Sequence, residues 1–198
     1  MPPLRAVMTG WCGDPHLAEE LVQTLMVKLT DKRASLDGLD AGRGKMRTWL
    51  LVALKHQWYD QLRRMSRERA LLAKVESEDV TTTEAASFDA EWAGELGKRA
   101  VTRLREEYRH RGKEALFHSL LAAADGRTDG SLRGEAADFG MEPNSYSVAL
   151  KRFRQRLAER LREEVSRTVE NDGEVEDELR HLIGVLSKHG GLPRVFDD

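Results

Sequence analysis

The chain has 198 residues, a third of them charged, with 32 Lys and Arg against 34 Asp and Glu for a formal net charge of −2. That balance excludes a uniformly basic nucleic-acid coat, so an anionic partner has to be met by local patches. One cysteine, Cys12, excludes an intramolecular disulfide, and the absence of a secretory signal or a membrane-length apolar run points to a cytoplasmic protein.

Nearly every periodic segment repeats with helical spacing, so the predicted fold is all-α. Asp14 and Pro15 open a first helix over about 15–30, Asp14 as N-cap and Pro15 in the first turn. Leu21, Val22, Leu25 and Leu29 form its buried stripe. Glu20, Gln23, Thr24 and Val27 face away from that stripe, and an apolar Val27 there suits a protein partner. A polar loop, about Thr30 to Gly42, follows.

Arg43 to Arg69 reads as one long helix. Leu51, Leu54, Trp58, Leu62 and Met65 make its apolar stripe, and Trp49, Val52, His56, Tyr59, Asp60, Arg63 and Arg67 lie opposite. The segment carries eight basic residues against Asp60 and Glu68. Aromatics interleaved with arginine suit stacking on unpaired bases and pairing with phosphate; a merely solvated charged helix is the plainer reading of the same pattern.

Residues 75–90 look like an acidic, Ser/Thr-rich linker. The predicted organisation is therefore a domain over 1–70, a linker over 71–90, a second helical domain over 91–169 and an acidic tail with an amphipathic helix over 170–198. In the second domain Trp92, Leu96, Val101, Leu104 and Tyr108 lie on or near one helix face. The tail helix has Leu179, Leu182, Ile183 and Leu186 as its stripe.

Residues 131–157 have helix-turn-helix spacing. Ala136 is small where two helices approach, and Gly140 sits where the turn needs positive φ. Glu135 stands where an apolar residue is expected. The second helix buries Tyr146, Leu150, Phe153, Leu157 and Leu161. It turns Asn144, Ser147, Val148, Lys151 and Gln155 outward, with Arg152, Arg154 and Arg156 flanking. An ordinary helical hairpin has the same spacing.

No catalytic reading survives inspection. The six histidines are scattered, with no trustworthy metal-ligand spacing, and no cofactor is implied. Gly44-Lys45 lacks the first glycine and the Ser or Thr of a phosphate-binding loop. Cys12 carries no sign of activation, and the paired acids read as surface charges.

Arg43-Gly44-Lys45-Met46-Arg47-Thr48-Trp49-Leu50, with Asp60-Gln61-Leu62-Arg63-Arg64, resembles the promoter-melting region of ECF-type bacterial RNA polymerase sigma factors. Ala18 to Gln23 resembles the helix with which that region docks on the polymerase. The helix-turn-helix segment and Arg162-Glu163-Glu164-Val165 resemble the family's C-terminal DNA-binding region.

The resemblance implies no enzyme but a transcription factor whose partners are core RNA polymerase and promoter DNA, with room for an anti-sigma factor. It implies polymerase binding by Glu20, Gln23, Thr24 and Val27. The minus-ten strand would fall to Arg43, Lys45, Arg47, Trp49, His56, Tyr59, Arg63, Arg64 and Arg67. The upstream element would fall to Asn144, Ser147, Lys151, Arg152, Arg154 and Gln155. Met46, His56 and Ser147 depart from common family residues, and the thirteen residues before Asp14 imply a shortened first helix. The other reading is a degenerate sigma-like interaction module that binds a regulator or polymerase without initiating transcription.

Overall fold

A computed structural model of the chain describes residues 2–30, 46–68, 82–126, 132–169 and 171–188. Among these residues the secondary structure is eight α-helices and no strand. Contacts divide the chain into two compact units, Met1–Trp92 with Thr168–Glu170, and Ala93–Arg167 with Asn171–Asp198.

The first unit begins with α1 (Pro2–Cys12), a helix that periodicity did not mark but that lies where the resemblance implies a shortened first helix. Pro3, Leu4, Val7 and Met8 are its buried residues, Leu4, Val7 and Met8 at the three- and four-residue steps that define one helix face. Two residues on, the Asp14 carboxylate accepts the amides of His16 (2.8 Å) and Leu17 (3.3 Å). It thereby caps α2 (Pro15–Thr30) as expected. Ala18, Leu21, Val22 and Leu25 turn inward, and Leu29 is only half-buried.

The long basic helix is α3 (Met46–Glu68). Leu50, Leu51 and Leu54 form its buried center, Trp58 and Leu62 are half-buried, and Met65, expected on the buried stripe, is exposed. Two polar residues, Lys55 and Gln57, are buried instead. The Gln57 amide oxygen accepts from the Lys28 ammonium at 2.7 Å, so part of that polarity is satisfied within the unit.

Helix α4 (Thr82–His110) corrects the linker expectation. Residues 82–90 are helical; residues 71–81 lie outside the described ones. Phe88 and Trp92, one helical turn apart, are both buried and their rings meet at 5.9 Å between centroids. Asp89 pairs with Arg47, and Glu84 with Lys55 at 3.4 Å. Glu84 and Asp89, two of the acids that suggested a solvated linker, are partners of basic side chains on α3, and Ala85, Ala86 and Ala90 favour helix.

The second unit comprises α4 from Ala93 onward, α5 (Glu114–Ala124), α6 (Leu132–Asp138), α7 (Pro143–Ser166) and α8 (Asp172–Lys188). Tyr108, Phe117 and Phe153 form a triangle of edge-to-face contacts with centroids 5.6–5.9 Å apart. In α8 the buried residues are Val175, Glu178, Leu182 and Leu186. Ile183, expected on that stripe, is exposed, and Leu179 is half-buried.

Candidate nucleic-acid and protein interfaces

The outward side of α2 is as expected from the spacing. Glu20, Gln23 and Val27 are exposed, Val27 to 66%, and Thr24 is half-buried with its hydroxyl donating to the Glu20 carbonyl at 2.9 Å. An apolar side chain that open to solvent gains from a covering partner about 25 cal/mol for each Å² of apolar surface buried.

On α3 the residues Val52, His56, Asp60, Arg63 and Arg64 are exposed, and Trp49 and Tyr59 are half-buried. One face therefore presents two partly open rings beside two arginines. Arg63 approaches Asp60 at 3.4 Å, and the Lys55 ammonium lies 5.7 Å from the centroid of the Tyr59 ring. Arg47 departs from the set: its side chain is 11% exposed and closed on Asp89. Arg43 and Lys45 lie outside the described residues, as does the side chain of Arg67.

In the second unit α6 and α7 meet at a tight turn. Gly140 has φ +61, the left-handed region that side chains resist, and the Met141 amide reaches back to the Ala136 carbonyl at 2.8 Å. Ala136 is fully buried. Glu135, the residue that broke the expected pattern, accepts a hydrogen bond from the Ser119 hydroxyl at 2.7 Å, and that hydroxyl lies 2.6 Å from the hydroxyl of the buried Tyr146. The carboxylate thus completes a small polar network that satisfies two hydroxyls beside the core.

Tyr146, Leu150, Phe153, Leu157 and Leu161 are buried on α7, all as predicted. Asn144, Ser147, Lys151, Arg152, Arg154 and Gln155 are all exposed. Arg154 donates to the Ala123 carbonyl at 3.4 Å. Arg156 and Arg160 both engage Glu107, at 2.7 and 2.6 Å. Burial pushes the Glu107 carboxyl up, but the hydrogen bonds and charges of those two arginines outweigh it and hold the group below its usual range. Beside the first half of α7 runs an open cleft of about 650 Å³, whose far wall carries Tyr108, Arg111, Lys113 and Leu116. Sequence reasoning passed over Arg111 and Lys113, because they flank a helix break rather than lie on a periodic face.

Residues 1–68 match the family model described as Sigma-70 region 2. That match covers α1, α2 and α3. No curated protein and no solved structure matches the chain. Among the described residues no group of His, Cys, Asp and Glu is placed to hold a metal ion, and no helix is long and apolar enough to cross a membrane.

Proposed function

We propose that this chain is an ECF-type bacterial sigma factor, a cytoplasmic protein that binds core RNA polymerase and directs it to promoters. The observation that carries the reading is the region 2 match over α1–α3 together with the open aromatic and basic face of α3. In this reading α2 docks on the polymerase through Glu20, Gln23, Thr24 and Val27. The α3 face, from Trp49 to Arg63, holds the opened minus-ten strand, where a stacked ring is worth about 1–3 kcal/mol per base. Arg64 extends the cationic surface and Arg47 serves the packing of α4, while Arg43, Lys45 and Arg67 are assigned to the same strand from the sequence alone.

The second unit reads the upstream element in the duplex. Asn144, Ser147, Lys151 and Gln155 face base edges and Arg152 and Arg154 face phosphates, an assignment supported by their exposure on α7. The protein acts by binding and holding DNA strands, with no chemistry of its own, and its activity is open to control by an anti-sigma protein.

The test is reconstitution with core polymerase and genomic promoter fragments, followed by permanganate footprinting of unpaired thymines. Opening by the parent and its loss in Tyr59→Ala with Arg63→Ala is the expected result. Polymerase binding without any opening on any fragment would leave an interaction module and reject the initiation reading.

A further inference from the structure

The cleft beside α7 is lined by apolar and cationic residues on both sides. The Tyr108 ring, Leu116 and Val148 give it apolar lining, and three cations line it as well, Arg111 and Lys113 on one side and Arg152 of α7 on the other. All three cations are exposed, and none makes an ion pair among the described residues. Other cations of this unit are neutralised in place. Arg105 pairs with Glu114, Arg103 with Glu164, and Arg156 and Arg160 with Glu107.

The turn that carries two of them is rigidly built. Gly112 has φ +66, its amide donates to the Arg109 carbonyl at 2.9 Å, and the Lys113 amide donates to the Tyr108 carbonyl at 2.9 Å. Arg111 and Lys113 are thereby fixed on either side of a glycine that lets the chain reverse.

We infer that Arg111 and Lys113 grip the phosphate backbone of duplex DNA along one edge of the groove that α7 enters, with Arg152 completing the clamp. The inference rests on the proposed reading of α7 as the base-reading helix. A helix lying in a major groove about 12 Å wide has a sugar-phosphate backbone on each side. At 100° per residue, Asn144, Lys151 and Gln155 define the outward line of α7, and Arg152 leans from it toward the cleft while Ser147 and Arg154 lean the other way. The backbone on the cleft side therefore meets Arg152 first, and Arg111 and Lys113 from the opposite wall. Glu159 lines the cleft farther along α7, which confines the phosphates to the part nearer Asn144. The contacts fix register and affinity and carry no base preference.

The test uses the full chain on a random duplex library and on a fixed 30-base-pair duplex, with affinity measured as salt is varied. Each lost phosphate contact lowers the slope of log affinity against log salt by about 0.9. Arg111→Ala with Lys113→Ala should lower it by about 1.8 and leave the selected sequence unchanged, whereas Lys151→Ala should change the selected sequence. An unchanged slope in the double variant, with Lys151→Ala still altering selection, overturns the inference and spares the reading of α7. A parent that enriches no sequence rejects that reading and the inference with it. Should circular dichroism show the alanine variant unfolded, Arg111→Gln with Lys113→Gln keeps the side-chain stems and is judged by the same slopes.

Discussion

Asp89 of α4 closes on Arg47 of α3, and the two side chains are only 12% and 11% exposed. A basic residue expected to face DNA is thus spent inside its own unit, on an acid expected to belong to a linker. The pair is dry enough that losing one partner strands the other.

Asp89→Ala should therefore destabilise the first unit by about 3 kcal/mol, the lower end of the range for breaking a buried pair. Arg47→Met with Asp89→Leu should recover most of that loss, because an apolar pair of similar volume leaves no charge buried. Urea unfolding of the three variants checks both statements. A double variant less stable than Asp89→Ala would show that the pair is needed as a pair.

The Glu135, Ser119 and Tyr146 network makes an ordering prediction. Ser119→Ala removes the shared hydroxyl and leaves two buried or half-buried groups unsatisfied, at about 1–3 kcal/mol. Tyr146→Phe leaves the Ser119 to Glu135 bond intact and should cost about 1 kcal/mol. Thermal unfolding should rank Ser119→Ala below Tyr146→Phe.

Acid should weaken the second unit through Glu107. Its folded carboxyl is held below the ordinary value. The stabilisation is therefore fully present above the unfolded value of about 4.3 and disappears as pH falls through the lower folded value. Glu107→Gln should flatten the stability profile below about pH 5 and cost about 1 kcal/mol at neutral pH, allowing for solvent screening at this half-open site. Stability measured from pH 7 to pH 3 on both proteins reads the difference.

Glu20→Lys with Val27→Asp should leave the fold untouched, since both side chains are exposed, Val27 to 66%. Surface changes of this kind move stability by no more than about 0.5 kcal/mol. Affinity for core polymerase should fall at least tenfold in a direct binding measurement. Equal binding by parent and variant would remove α2 from the docking surface.

Where one face of a helix repeats apolar residues and the other repeats polar ones, burial could be read directly. Leu21, Val22 and Leu25 on α2, the buried line from Tyr146 to Leu161 on α7 and the turn at Gly140 all belong to that class. What escaped was decided by partners far along the chain. Nothing local in Thr82–Ala90 announces that its acids meet Arg47 and Lys55 on α3. Glu135 looked like an error of pattern because Ser119 and Tyr146, its network partners, lie 16 and 11 residues away. In α8 a glutamate, Glu178, takes a buried position that composition would give to Ile183. Periodicity gives no sign of α1, which the resemblance alone implies, because Pro2, Pro3 and Gly10 mask a short stripe of Leu4, Val7 and Met8.

The exposed set on α7 runs only from Asn144 to Gln155, about 16 Å of helix at 1.5 Å per residue. At 3.4 Å per base pair that reach covers about five base pairs. A word of five letters recurs by chance about once in every thousand base pairs, so even faultless reading by α7 would mark thousands of positions in a chromosome of several million. In the proposed role, selectivity then has to come from multiplying two short words. The distance between those words becomes as much a part of the message as their letters.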